Sequence, residues 1–170
     1  PSGPAMSIDY VGVTVDVNTT GPQTLNSGDT ATSTTINAGT YQRISSGGKA
    51  TITTINGGSQ RVSGGSATST TINAGGWQEV TSGGSATITT INSGAFQRVS
   101  GGGTVTSTNI YSGGAQHISS GGSATSTTIS GGAQHVSIGG TATSTTINSG
   151  GVQNVYSRGS ATSTTINSGG

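Results

Sequence analysis

The chain has 170 residues and a net charge of +1; 27% of its positions are hydrophobic and 5% charged, while glycine fills 32 and serine plus threonine about 60 more. Ordinary globular domains are about 45–50% apolar and 25% charged, so a conventional single-core domain is excluded. Five basic residues against four acidic ones make no overall field for nucleic acid or an anionic membrane. Asp9, Asp16, Asp29 and Glu79 are too scattered for paired-carboxylate chemistry. The expectation is a protein that is not an enzyme, with no catalytic residues, no cofactor and no metal site.

From the N-terminus, Pro1 to Met6 read as an expression scar rather than structure. Residues 7–21 lack the pattern that follows, and Tyr10 to Val17 alternate apolar and polar. Such a segment predicts an irregular first coil that blunts an open sheet edge.

Residues 22–170 are a repeat array. Glutamine recurs at Gln23, Gln42, Gln60, Gln78, Gln97, Gln116, Gln134 and Gln153, always 18 or 19 residues apart. Single-residue deletions fall beside Gly-Gly pairs, where a turn tolerates them. Thr, Ser, Gly and Asn are poor helix formers, and the apolar positions fall in short period-2 runs. In Gln-x-Val the middle residue varies and reads as solvent-facing, while Val62, Val80, Val99, Val136 and Val155 read as inward. In Ala-Thr-Ser-Thr the third position, Ser33 or Ser69 but Ile52 and Ile88 elsewhere, reads as inward beside the alanine, with Thr32 and Thr34 outward. The isoleucines of the Ile36, Ile55 and Ile72 row lie five residues after the alanine, and that odd offset demands a corner or bulge between two inward positions. The Gln row and the Asn row (Asn37, Asn56, Asn73, Asn92) read as amide ladders at corners. One coil cannot bury enough surface to fold alone, so stacked coils must share a core. The fold class is all-β: a right-handed parallel β-helix, a solenoid of about eight coils with an N-terminal capping segment.

Four features of the surface stand out. Turn serines before glycine, Ser46, Ser82 and Ser120 in one row and Ser93, Ser112, Ser149 and Ser168 in the other, suit tight turns and would be open to a modifying enzyme. Tyr41, Trp77 and Phe96 precede the glutamine, and the latter two fall on successive coils; they read first as corner residues folded over their own coils and, alternatively, as an exposed patch for sugar faces or partner chains. In the variable row Glu79 lies between Arg61 and Arg98, and His117 neighbours His135; a solvated polar row is the better reading there, because no third ligand completes a metal site. Regular Thr-x-Thr rows raise a weaker, ice-binding alternative.

The consensus Ser-Gly-Gly-x-Ala-Thr-Ser-Thr-Thr-Ile-Asn-Ser-Gly-Gly-x-Gln-x-Val resembles the imperfect 19-residue repeat of self-associating autotransporter adhesins of Gram-negative bacteria, of the diffuse-adherence type. The resemblance covers nearly nine-tenths of the chain. It implies a truncated surface passenger that is exported through an outer-membrane barrel and acts in autoaggregation, biofilm formation and adhesion. It also implies that a dedicated heptosyltransferase attaches O-linked heptose to repeat serines in the cytoplasm before export. Implied partners are that transferase, copies of itself on neighbouring cells and an unidentified host-cell receptor. Asn109, Val105, Tyr111 and Ser130 depart from the consensus. The alternative within the same fold is an inert spacer holding a distal binding domain.

Overall fold

The structure is a computed structural model that describes the backbone of residues 8–10 and 14–17 and all of residues 21–170. The expected appendage at 1–6 lies outside the described residues. The chain winds into a parallel β-solenoid in which every coil contributes to two sheets, one of 9 strands and one of 13. The first sheet stacks the Gln-x-Val segments, for example Ser59–Ser63, Trp77–Thr81, Phe96–Val99 and Ala115–Ile118. The second stacks the Ala-to-Asn segments, continuous in Ser66–Asn73 and Thr104–Tyr111 but split later into pairs such as Ser123–Thr125 and Thr128–Ser130. Like pairs with like: Gln78 lies between Gln60 and Gln97, and Val80 between Val62 and Val99. At the N-terminal end Ile8–Tyr10 pairs with the first glutamine strand, and Thr14–Val17 pairs with Thr30–Asn37 through a register shift between Val15 and Asp16.

The Gly-Gly turns follow from two distinct steric demands. The first glycine has positive φ, as at Gly83 (73°) and Gly94 (72°), a conformation that costs other residues energy. The second is packed too tightly for a side chain: a Cβ at Gly103 would stand 2.2 Å from the Val80 carbonyl oxygen of the coil beneath. Each turn closes with a backbone bond such as Gly84 N–H to the Thr81 carbonyl at 2.8 Å.

The core consists of parallel rows in three groups. Leu25, Ile44, Val62, Val80, Val99, Ile118 and Val136 face the alanine row beside the first turn. Ile36, Ile55, Ile72, Ile91, Ile110, Ile129 and Ile147 fill the end beside the second turn. Between them lies a polar row, and here the structure corrects two sequence expectations. The glutamines from Gln23 to Gln134 are not corner residues; they are fully buried. Thr34, Thr53, Thr70, Thr89, Thr108, Thr127 and Thr145, expected outward, are buried beside them.

The cause of the second inversion is a bulge. From Ser69 onward the residue after the outward threonine takes left-handed backbone, with φ of 57° at Ser69, 57° at Ile88 and 59° at Ser107, whereas Ser33 and Ile52 turn outward without it. That one residue turns outward without using an alternation step, so the following threonine points in. The third position of Ala-Thr-Ser-Thr is accordingly exposed rather than inward, with Ile52 at 56% and Ile88 at 52%. The bulge required by the odd alanine-to-isoleucine offset is present; it sits one residue earlier than the inward assignment of Ser33 and Ile52 allowed.

Candidate interaction face and acceptor turns

The two outer faces of the solenoid differ. Over the 13-stranded sheet the outward side chains are mostly threonine, serine and asparagine, with Lys49, Tyr111 and the isoleucines Ile52 and Ile88 among them. Because the second threonine row is buried, the described residues present no Thr-x-Thr plane of the kind the ice-binding reading required.

The 9-stranded sheet carries the chemistry. Its outward rows hold Tyr41, Ser59, Trp77, Phe96, Ala115 and Ala133 beside Arg43, Arg61, Glu79, Arg98, His117 and His135, in parallel register. Trp77 and Phe96 stack with ring centroids 6.1 Å apart and planes 6° from parallel. They stand on the strand face rather than at a corner. Tyr41 is two coils from Trp77, with Ser59 between them. Arg61 Nε donates to Glu79 Oε2 at 2.6 Å. Glu79 is also the register neighbour of Arg98, but its ion pair is with Arg61. The Arg43 guanidinium carbon stands 5.9 Å from the Tyr41 ring centroid, at the outer reach of cation–π attraction.

Further along, His117 and His135 stack at 4.8 Å, and His135 stacks on Tyr156 at 6.0 Å. The His117 imidazole is held below its ordinary pKa, first by burial against the face, then by His135 and by Arg98. Among the described residues no group of three or more metal-ligating side chains converges.

The turn serines Ser46, Ser82, Ser120, Ser93, Ser112, Ser149 and Ser168 are all exposed. Their backbones differ: Ser82 and Ser120 have φ of 50° and 48°, whereas Ser46, Ser93, Ser112, Ser149 and Ser168 precede a left-handed glycine without being left-handed themselves. Successive turns are staggered, so that a Cβ at Gly113 would lie 2.7 Å from the Ser93 hydroxyl oxygen and one at Gly169 2.9 Å from that of Ser149. Glycine at those positions keeps the serine of the coil beneath uncovered.

Sequence reasoning missed the buried glutamine–threonine row as a unit. The signal was available: the alternation that puts Val inward in Gln-x-Val puts Gln on the same face.

Comparison with known proteins gives the same architecture a family. No curated protein matches the chain. A family model described as "Adhesin of bacterial autotransporter system, probable stalk" matches residues 58–114 and 130–170. Among solved structures the chain is similar to a hyper-glycosylated TibA fragment whose glycosylation is catalysed by TibC. The identity is 42%, covering 91% of this chain and 78% of that one, with a TM-score of 0.50. With more than half its length matched by the model and its coils stacked as a solenoid, the chain belongs to the autotransporter adhesin family, whose members are surface-displayed by Gram-negative bacteria.

Proposed function

We propose that this rod is an adhesion and autoaggregation passenger whose turn serines accept O-linked heptose from a dedicated glycosyltransferase in the cytoplasm, before export. The observation that carries the reading is the exposure of all seven candidate serines at turn tips. Modification there breaks no sheet hydrogen bond, and the rigid core holds the acceptors at regular intervals. The 42% identical TibA fragment is hyper-glycosylated through TibC, which supports the same chemistry on this scaffold. Repeated weak contacts along parallel rods would then give avidity between cells, with other copies of the chain and a host-surface receptor as partners. Residues 7–21 serve as the cap of the stack, and 22–170 as the working array.

The test is the intact mass of the chain expressed with and without a TibC-type transferase. A series of added masses, each one heptose, located by peptide mapping at the turn serines, is expected. An unshifted mass would remove glycosylation from the function and leave the spacer role.

A further inference from the structure

The 9-stranded face contains a cleft that the glycosylated turns do not use. Tyr41, Gln42, Arg43, Ser59, Arg61 and Trp77 line a concavity of about 240 Å³. Its shape follows from one substitution in a row of large side chains: Ser59 is small where Tyr41 and Trp77, one coil on either side, are aromatic. At about 4.8 Å per strand, the two aromatic residues are separated by roughly 9.6 Å. Two van der Waals contacts of about 3.5–4.0 Å each leave room between them for one saturated ring. Phe96 stacks on Trp77 from the following coil, so the indole side available to a ligand is the one toward Ser59. The rim is cationic. Arg43 is exposed and has no carboxylate partner among the described residues, while Arg61 meets Glu79 through Nε, leaving its Nη groups without an acceptor.

Charge on this face is unbalanced although the chain as a whole is nearly neutral. Three of the five Lys and Arg residues, Arg43, Arg61 and Arg98, occupy a single row with Glu79, and the other acidic residue of that row among the described residues is Asp9, two coils before Arg43. Among the described residues a second copy of this chain offers no cluster of acidic side chains to meet them. Two further depressions continue along the same face: one of about 140 Å³ between Trp77, Phe96 and the neighbouring charges, and one of about 700 Å³ beside Phe96, Arg98 and His117. Aromatic faces suit the C–H faces of a sugar, and guanidinium groups suit sulfate or carboxylate. We propose that the Tyr41–Trp77 cleft binds an anionic sugar ring, one carrying sulfate or carboxylate, within an oligosaccharide laid along the rod. This site is independent of heptose on the turns.

Trp77 is the only tryptophan of the chain, so its emission reports on the cleft directly. The unglycosylated chain is titrated with a sulfated heparin tetrasaccharide, with its desulfated, carboxylate-bearing counterpart, and with neutral maltotetraose. A saturable emission change is expected, with at least one anionic probe binding ten-fold or more tightly than maltotetraose; the stronger of the two identifies the anionic group. Tyr41→Ala and Arg43→Gln, both at exposed positions, should each weaken binding at least ten-fold. Arg158→Asn, a distant surface cation that tolerates left-handed backbone as asparagine, should change it less than two-fold. Circular dichroism verifies that each variant keeps its sheets. Absence of a saturable change, equal binding of maltotetraose, wild-type affinity in either cleft variant, or an equal loss in the Arg158 variant would overturn the proposal.

Discussion

Gln97 donates its side-chain amide to the Gln78 carbonyl oxygen at 2.6 Å, 19 residues earlier in the chain, with both residues fully buried. The same contact recurs from Gln60 to Gln42 and from Gln116 to Gln97, at 2.6 and 2.7 Å. Gln42, Gln60, Gln78, Gln97, Gln116 and Gln153 also donate to a threonine of the same row, as Gln97 does to Thr89 Oγ1 at 3.2 Å. A buried amide is stabilising only when its partners are present. The continuous row meets that requirement within the rod, and it does so in one register alone.

Gln97→Leu should therefore destabilise the rod although it removes a polar group from the core. Gln78 loses a donor and Gln116 its carbonyl acceptor, at a cost of about 1–3 kcal/mol, read as a lower urea midpoint. Thr89→Val combined with Gln97→Leu should cost less than the sum of the single changes, because the two share a network. An additive result would show that the row is not coupled.

Ile88 holds φ of 57° while 52% exposed. Left-handed backbone costs an ordinary L-residue about 1–2 kcal/mol, and asparagine less; for a β-branched residue it is a genuine outlier. Little apolar burial is at stake in an exposed side chain. Ile88→Asn should raise stability by about 1 kcal/mol, or about 2–4 °C in melting temperature for a chain of this size. A drop in melting temperature would mean that the isoleucine contributes packing that outweighs its backbone.

The second turn glycine is sterically fixed. Gly103→Ala places a Cβ against the Val80 carbonyl, and overpacking of this kind costs about 1–3 kcal/mol. The other turn row already accommodates Ala95 at the corresponding place. Ala95→Gly should accordingly cost no more than about 1 kcal/mol. Thermal melts of the two variants compare these positions directly.

The His117 imidazole titrates below its usual range because of burial, His135 and Arg98, in that order. The unfolded chain, titrating near the ordinary value of about 6.5, takes up the proton first as pH falls. Stability assigned to neutral His117 is thus fully present above that value and is lost as pH drops through the lower folded value. The melting temperature should fall between pH 7.5 and 5.5, and His117→Gln should flatten the fall. An unchanged slope in the variant would assign the pH dependence to other groups.

The coil length, the two turn rows and the inward Val, Ala and Ile rows were all legible in the sequence, because spacing and alternation encode them directly. The orientation of Thr34 and Ser33 was not, since a bulge shifts every later side chain to the opposite face and Ser-Thr-Thr gives no polarity contrast to place it. Gln42 and Gln60 were misplaced for another reason: a lone buried glutamine is costly, and the partners that make it favourable come from the coils above and below. The cleft at Ser59 belongs to neither category. A small residue between two aromatic ones is visible in the alignment of coils, but only the stacked register turns that gap into a cavity.

The glutamine row also makes length a free variable. Every interior coil presents the same acceptor to its successor and the same donor to its predecessor, so one coil fits wherever another does. Whole units can be gained or lost by recombination within the gene without creating an unmatched junction. Each would move the far end by about 4.8 Å. Reach from the cell could thus vary between lineages while the chemistry of both ends, and of each coil between them, stayed the same.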